Sequence, residues 1–242
     1  MSRQEYWRSR YREIHPEWDP SSTLFRRLIA PKIGPDTRIL DIGAGHTDFL
    51  RDIYERTPLT YAIDLDAEAI RRNRTIANKV IGNAERLPFK DGSFDLVVLS
   101  WVVEHLDHPQ GVFREIHRVL KPGGAASFLT PNTWNYNVWM ILLVPNTFHG
   151  LFTRRLYGRH EHDSFPTRYR LNSVRRLDSV LTRMGFERDQ MILNGDPTYI
   201  SFNELLFRFA CLLERLLDTP SLQRARVHII GAYRKKGGSV DL

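Results

Sequence analysis

The middle of the chain alternates between short apolar runs and longer segments of helical periodicity. Four apolar runs predict β-strands at residues 38–42, 59–64, 94–100 and 125–129. The third run is almost wholly apolar, as is typical of a strand buried on both faces of a parallel sheet. Helical patterns cover 67–78 and 109–120, and KPGG at 121–124 predicts a turn. This alternation predicts an α/β fold with a doubly wound sheet.

The pattern changes after residue 132. Residues 133–170 are rich in aromatic residues and arginine and do not continue the alternation. A helix is predicted over 173–184, with Asn172 as its N-cap and Gly185 as its C-terminal stop. The remaining chain predicts a strand from Gly185-Phe186, an apolar helix over 203–217 and a last strand over 227–233.

A glycine-rich turn follows the first predicted strand. In ILDIGAGHT at 39–47, two glycines lie between a strand and a helix, where glycine permits positive φ and lets a ligand approach the main chain. Many α/β folds use such a turn for structural reasons alone. Asp64 ends the second strand and favours the interpretation that the turn binds a ligand, because a carboxylate there can accept both hydroxyl hydrogens of a ribose. The alternative role for Asp64 is to cap the N-terminus of the helix that begins at residues 66–68. The physical interpretation is a nucleoside cofactor.

The sequence resembles the class I S-adenosylmethionine-dependent methyltransferases, in the small-molecule branch called type 11. Five motifs in the family's order carry the resemblance: LDIGAG at 40–45, AIDLD at 62–66, GNAERLPFKDGSFD at 82–95, LSWVVEHLDHP at 99–109 and REIHRVLKPGGAASFLTPN at 114–132. The resemblance implies a Rossmann-like, doubly wound seven-stranded sheet whose last strand is antiparallel. We expect a single methyltransferase domain over 1–242, comprising an N-terminal helical cap (1–37), a cofactor-binding core (38–132), a helical acceptor lid inserted after strand 5 (133–172) and a C-terminal part (173–242).

The resemblance also implies which residues contact the cofactor. They are Tyr11, Asp41, Gly43, Ala44, Gly45, Asp64, Leu65, Asn83, Ala84, Glu85, Ser100 and His105. The glycine turn would contact the methionine moiety, Asp64 the ribose and Ser100 the floor beside the sulfonium. Asp41 would hold the turn and, through water, the amino group. Leu65 and the 83–84 pair would meet the adenine. For Tyr11, packing between helices is an equally weighted alternative to cofactor binding. For Glu85, the alternative is a position in a turn or on the solvent-exposed surface.

Two positions depart from the family pattern. Thr47 stands where a third glycine is usual, so the backbone of the turn has fewer accessible conformations there. Asn83 stands where an aspartate is common, and an amide can still accept from the adenine amino group. We expect S-adenosylmethionine to bind in spite of both changes.

A general base is needed only if the acceptor must lose a proton. The candidates are Glu104, His105, His162 and Tyr169. Packing or loop closure is an equal alternative for Glu104 and His105. The spacing of His160–Asp163 is weak evidence for a metal site, and no metal is expected.

The net charge of +7 is unevenly distributed, and 29 of the 35 basic residues are arginine. Residues 39–132 carry −2, whereas 133–242 carry +6, so the positive charge lies where the acceptor should bind. Five arginines are candidates for binding a phosphate or carboxylate: Arg154, Arg155, Arg159, Arg168 and Arg170. A solvated basic face is the alternative. We expect a small-molecule acceptor, either anionic or sugar-like.

Other functions fit the sequence less well. RNA methylation is favoured by the basic composition, but the chain has no separate RNA-binding module and no Asn/Asp-Pro-Pro-Tyr/Phe motif; DNA is not expected either. A non-catalytic, cofactor-binding partner subunit is a further alternative. The apolar stripe of the 203–217 helix favours core packing or a homodimer over a membrane-surface helix. One cysteine, no apolar leader and no run of ~20 apolar residues predict a cytoplasmic protein without a disulfide framework or a transmembrane segment.

Overall fold

The apolar runs of the sequence form the centre of a seven-stranded sheet. The computed structural model describes residues 1–46, 48–136 and 166–237. The strands are β1 (Ile39–Ile42), β2 (Thr60–Asp64), β3 (Asn78–Ile81), β4 (Phe94–Ser100), β5 (Leu120–Pro131), β6 (Phe186–Asn194) and β7 (His228–Lys235). The helices are α1 (Arg3–Ile14), α2 (Ser21–Ile29), α3 (Arg51–Tyr54), α4 (Ala67–Arg72), α5 (Pro109–Val119), α6 (Val174–Arg183) and α7 (Glu204–Leu217).

The strand order is β3-β2-β1-β4-β5-β7-β6. Pairing is parallel from β3 through β5, and β7 lies antiparallel between β5 and β6. The order reverses between β1 and β4, so the carboxyl ends of these two strands meet at a crevice where α/β sheets bind ligands. The predicted Rossmann-like class with an antiparallel last strand is confirmed. The predicted lid falls largely on residues 137–165, outside the described part of the chain.

Alternate residues of β4 pack into two cores on opposite faces of the sheet. Val97 and Leu99 belong to the core that includes the apolar side of α5, while Leu96 and Val98 belong to the core that includes α2. All four side chains are essentially inaccessible. A strand covered by helices on both faces needs apolar side chains at every position, which explains the continuous run in the sequence.

Two sequence-based helix boundaries were wrong. The helix predicted over 67–78 ends at Arg72, because the side-chain Oδ1 of Asn73 accepts the backbone N–H groups of Thr75 and Ile76 and turns the chain into β3. The N-cap of α6 is Ser173 and not Asn172. Asn172 instead donates from Nδ2 to the Oγ1 of Thr130 at 2.6 Å.

The predicted turn at 121–124 lies within β5. Pairing with β4 shifts there, from Phe94 opposite Leu120 to Leu96 opposite Ala125, and Gly123 has a φ of +78°. The segment is therefore an irregularity inside a longer strand, which glycine accommodates because it has no Cβ.

Helix α7 presents its apolar stripe outward, so core packing was the wrong prediction for most of it. The buried side carries Phe207, Ala210, Glu214 and Leu217. The side chains of Leu205, Phe209, Leu212 and Leu216 are 51–76% exposed. Packing against α1, through the stacked rings of Trp7 and Phe207, decides which side is covered. No helix in the described ranges is long and apolar enough to cross a bilayer.

Candidate functional site

The glycine turn after β1 has the backbone that its sequence predicts. Gly43 and Gly45 have φ of +69° and +50°, in the left-handed region that other residues rarely adopt. A Cβ on Gly43 would overlap the side chain of Val102, whereas a Cβ on Gly45 would meet nothing within 4 Å. Gly43 is therefore required both by its φ and by the close approach of the segment after β4.

A pocket lies beneath this turn, at the carboxyl ends of β1 and β4. Its lining includes the predicted residues Asp41, Gly43, Ala44 and Ser100. It also includes Phe49, Leu50, Arg51, Tyr54 and Thr75, which the sequence analysis did not single out. These residues lie on loops and helices that reach the pocket only through the tertiary fold.

Three buried polar atoms of this pocket have no hydrogen-bond partner within the described part of the chain. They are Asp41 Oδ1, Thr75 Oγ1 and Ser100 Oγ. Buried polar groups in proteins are almost always hydrogen-bonded, and three exceptions around one pocket indicate a place for a polar ligand. An amino-acid ammonium or carboxylate group supplies the donors and acceptors that such atoms need.

Asp41 is buried under the turn and is hydrogen-bonded to Tyr54. Its Oδ2 accepts a 2.8 Å hydrogen bond from the hydroxyl of Tyr54. Burial raises the pKa of Asp41 to about 7; the Tyr54 hydrogen bond opposes the rise and the nearby Asp64 carboxylate adds to it. A carboxyl group with this pKa is poised to ionise when a cation binds beside it.

Asp64 holds the turn from the end of β2. Its Oδ2 accepts from the backbone N–H of Gly45 at 2.8 Å, and its Oδ1 accepts from the backbone N–H of Asp66 at 2.9 Å. The N-cap of α4 is Asp66, which excludes the capping alternative for Asp64. Each carboxylate oxygen has a second lone pair, so Asp64 keeps acceptor capacity for a diol.

The predicted adenine contacts lie beyond the ends of β2 and β3. Leu65 is 62% exposed, so its side chain is accessible to a ligand. The Oδ1 of Asn83 accepts from the backbone N–H of Glu85 at 2.9 Å, so one acceptor site is already used. Ala84 and Glu85 are half-buried beside it.

Glu104 and His105 lie in a short 3-10 turn after β4. Glu104 is buried and accepts from the Oγ1 of Thr130 at 2.8 Å, which ties the turn to the end of β5. The Nδ1 of His105 lies 3.3 Å from the carbonyl oxygen of Pro166, and its side chain is 28% exposed. Of these two candidates, His105 is the one open to an acceptor.

Two non-glycine residues with positive φ flank this turn. Trp101 has φ of +59° and Tyr169 has φ of +50°. The backbone N–H of Tyr169 donates to the carbonyl of Glu104, so the predicted lid returns to the core beside the candidate base. Such strain occurs where surrounding structure enforces it, often at functional sites.

A buried hydrogen-bonded chain borders the site on its β7 side and was missed by the sequence analysis. His228 Nδ1 is 2.9 Å from Ser21 Oγ, and His228 Nε2 is 2.9 Å from the hydroxyl of Tyr199. Burial lowers the pKa of His228 to about 4, so the ring is neutral at physiological pH. Its ring also contacts Trp101 at 5.0 Å. These residues come from four distant segments, and no local sequence pattern predicts that they contact one another.

The remaining predicted residues lie elsewhere. Tyr11 packs between α1 and α7 against Trp18, outside the lining of the pocket, and burial raises its pKa. Arg168 pairs with Asp107 at 2.8 Å, and Arg170 is exposed. His162, Arg154, Arg155 and Arg159 fall outside the described residues. The described ranges hold no cluster of His, Cys, Asp or Glu able to bind a metal ion.

Comparison with known proteins agrees with this geometry. Residues 40–128 match the sequence model of a family described as a methyltransferase domain. The ubiquinone/menaquinone biosynthesis C-methyltransferase of Rubrivivax gelatinosus is 30% identical over 209 residues, which cover 82% of this chain and 76% of the relative. The chain belongs to the class I S-adenosylmethionine-dependent methyltransferases. It is accordingly an enzyme of that family.

Further similarities concern a second relative and the fold. The malonyl-[acyl-carrier protein] O-methyltransferase of Dechloromonas aromatica is 32% identical over 138 residues, covering 53% of this methyltransferase and 52% of the relative. The crystal structure of an S-adenosylmethionine-dependent methyltransferase from Mesorhizobium loti superposes with a TM-score of 0.58 at 19% identity, covering 87% of this chain and 95% of that one. The latter shows the shared fold.

Proposed function

We propose that this methyltransferase binds S-adenosylmethionine beneath the glycine turn and methylates a small anionic or sugar-like acceptor. The observation that carries the proposal is the pocket at the sheet's switch point, where three buried polar atoms around the turn have no hydrogen-bond partner among the described residues. In this proposal Asp41 faces the cofactor's ammonium group, Asp64 accepts from the ribose hydroxyls and Leu65 covers the adenine.

The protein's contribution is binding and alignment. When bound, the cofactor supplies a reactive sulfonium methyl group. Ser100 and the main chain of Gly43 would hold the reacting end at the carboxyl edge of β4, and the 101–105 segment would form the adjacent acceptor wall. Alignment of two reactants in this way supplies ~7–11 kcal/mol of a barrier. His105 is the proposed base for an acceptor that must lose a proton, because its ring is partly exposed while Glu104 is held by Thr130.

The charge beside this wall supports the proposed acceptor class. Arg168 and Arg170 lie on the segment whose backbone bonds to Glu104; both residues are exposed, and Arg168 is paired with Asp107. Arginine binds carboxylates and phosphates with paired hydrogen bonds, which supports an anionic acceptor. Two relatives are named as a C-methyltransferase and an O-methyltransferase, so carbon and oxygen are both reasonable target atoms.

A matched pair of variants tests the cofactor site by isothermal titration with S-adenosylmethionine. Asp64→Asn removes the charge that would accept from the ribose, and hydrogen bonds to charged groups contribute ~1.5–3 kcal/mol. We expect at least a tenfold loss of affinity. Asp66→Asn, two residues away, keeps an N-cap side chain and should bind within about twofold of the wild type. Equal affinities for all three proteins would contradict the proposal.

The acceptor proposal has its own test. Formation of S-adenosylhomocysteine is measured with carboxylate, phosphate and neutral sugar acceptors. For an anionic acceptor, Arg168→Gln and Arg170→Gln should raise KM without changing the Kd of S-adenosylmethionine. Turnover confined to neutral acceptors, with no effect of either variant, would exclude the arginine assignment.

A further inference from the structure

The outer face of α7 is an exposed apolar surface. It consists of Phe202, Leu205, Leu206, Phe209, Leu212 and Leu216, whose side chains are 36–76% exposed. Four of the leucine and phenylalanine positions repeat at intervals of four, three and four residues, which places them in one stripe along the helix. The opposite side carries the buried carboxyl group of Glu214. The helix is therefore amphipathic, with most of its large apolar side chains directed away from the core.

Positive charge borders this outer face. Four arginines lie around it or on the adjoining helix: Arg3, Arg10, Arg208 and Arg215. The guanidinium carbon of Arg3 is 4.4 Å from the ring centroid of Phe202. Glu204, the acid at the start of α7, is paired with both Arg10 and Arg208. On α7 itself, Arg208 and Arg215 outnumber the accessible acid Glu204, so the helix contributes net positive charge to this border.

The acid at the other end of the helix does not reverse this balance. Asp218, which follows Leu217, is ion-paired with Arg226. Two copies of the chain joined through the outer face would bring two arginine-bordered surfaces together, and like charges oppose such a contact. An anionic surface has the complementary charge.

We propose that the outer face of α7 binds the surface of an anionic lipid bilayer. An interfacial helix of this kind buries its apolar side chains at the boundary between headgroups and acyl chains, and its arginines attract anionic headgroups. The described helices include none able to span a bilayer, so the contact is peripheral. This inference does not depend on which acceptor the enzyme methylates.

Co-sedimentation of the full chain with vesicles tests the proposal. Vesicles of phosphatidylglycerol and phosphatidylcholine are compared with vesicles of phosphatidylcholine alone. We expect the wild type to bind the anionic vesicles at least tenfold more strongly. The double variant Phe209→Glu/Leu212→Glu should lose at least tenfold in binding to them. Arg215→Gln should lose about fivefold, as expected for one cation near the surface.

Ile81→Glu is the matched control. Ile81 is 52% exposed and ends β3, at the sheet edge opposite β6, so the same change of an exposed apolar residue to glutamate should leave vesicle binding unchanged. Thermal melts establish that each variant is folded. If the glutamate pair unfolds the protein, Phe209→Ser/Leu212→Ser replaces it with the same expected loss.

Three results would overturn the proposal. These are no binding of the wild type to anionic vesicles, undiminished binding of the folded double variant, and a wild-type dimer in light scattering that the double variant converts to monomer. The last result would assign the outer face to a second copy of the chain.

Discussion

The hydroxyl of Tyr54 donates a 2.8 Å hydrogen bond to one carboxylate oxygen of Asp41, and the other oxygen has no partner within the described ranges. Tyr54 lies at the end of the single helical turn α3, and Asp41 lies in the middle of β1. The contact orients the carboxyl group, and burial and the Asp64 charge raise its pKa in spite of that hydrogen bond.

Cofactor affinity should depend on pH through Asp41. Its pKa is about 7 in the free protein, and an ammonium group beside it favours the ionised form. Binding then releases a proton, so affinity falls as pH drops; one group with this pKa gives about a fivefold loss between pH 7 and pH 6. Titration calorimetry across this range measures the slope.

Two variants separate this effect from other titrating groups. Asp41→Asn should bind S-adenosylmethionine more weakly and lose the slope. Tyr54→Phe removes the hydrogen bond that favours the ionised carboxylate, so its midpoint should move to higher pH. An Asp41→Asn variant with an unchanged pH profile would show that another group is responsible.

The two glycines of the turn should differ in their tolerance of alanine. Gly45→Ala introduces only the strain of positive φ, which is about 1–2 kcal/mol. Gly43→Ala has the same strain and also overlaps Val102, and such overpacking adds about 1–3 kcal/mol. Chemical denaturation should therefore show a larger loss of unfolding free energy for Gly43→Ala. The reverse order would mean that the segment after β4 moves away at little cost.

Glu214 should destabilise the fold at alkaline pH. Burial and the charge of Asp196 raise its pKa to about 7, against the opposing effects of Arg226 and the Tyr136 hydroxyl. In the unfolded chain this carboxyl group ionises near pH 4.5, whereas in the folded protein it stays protonated up to about pH 7. The free energy of unfolding therefore falls as the pH rises from about 4.5 through about 7. Glu214→Gln should raise the unfolding free energy at pH 8 by roughly 2–3 kcal/mol and have less effect at pH 5.

The exposed Glu187, on β6, provides the control for that prediction. Glu187→Gln has no buried charge to remove and should leave the unfolding free energy unchanged at both pH values. Denaturant titrations at pH 5 and pH 8 make the comparison. A Glu214→Gln protein that is less stable than the wild type at pH 8 would contradict the buried-charge explanation.

The local order of residues contained enough information for the central strands β1, β2, β4 and β5 and for the glycine turn, but not for β3, which no predicted strand covered. The run 94–100 is apolar at nearly every position because both of its faces are covered, and Gly43 is required where φ is positive. Local hydrogen bonding was harder to read, as Asn73 and Asn172 show. Each asparagine has several acceptors or donors within reach, and the packed structure selects among them.

By itself, the sequence determined the alternation of strands and helices, the glycine turn and the acidic residue that ends β2, because each depends on neighbours within a few positions. Only the tertiary structure decided that Tyr54 holds Asp41, that Tyr199 and Ser21 hold His228 and that α7 turns most of its leucines outward. These contacts join segments far apart in the chain. A side chain's partners there depend on how whole elements pack, which no local pattern encodes.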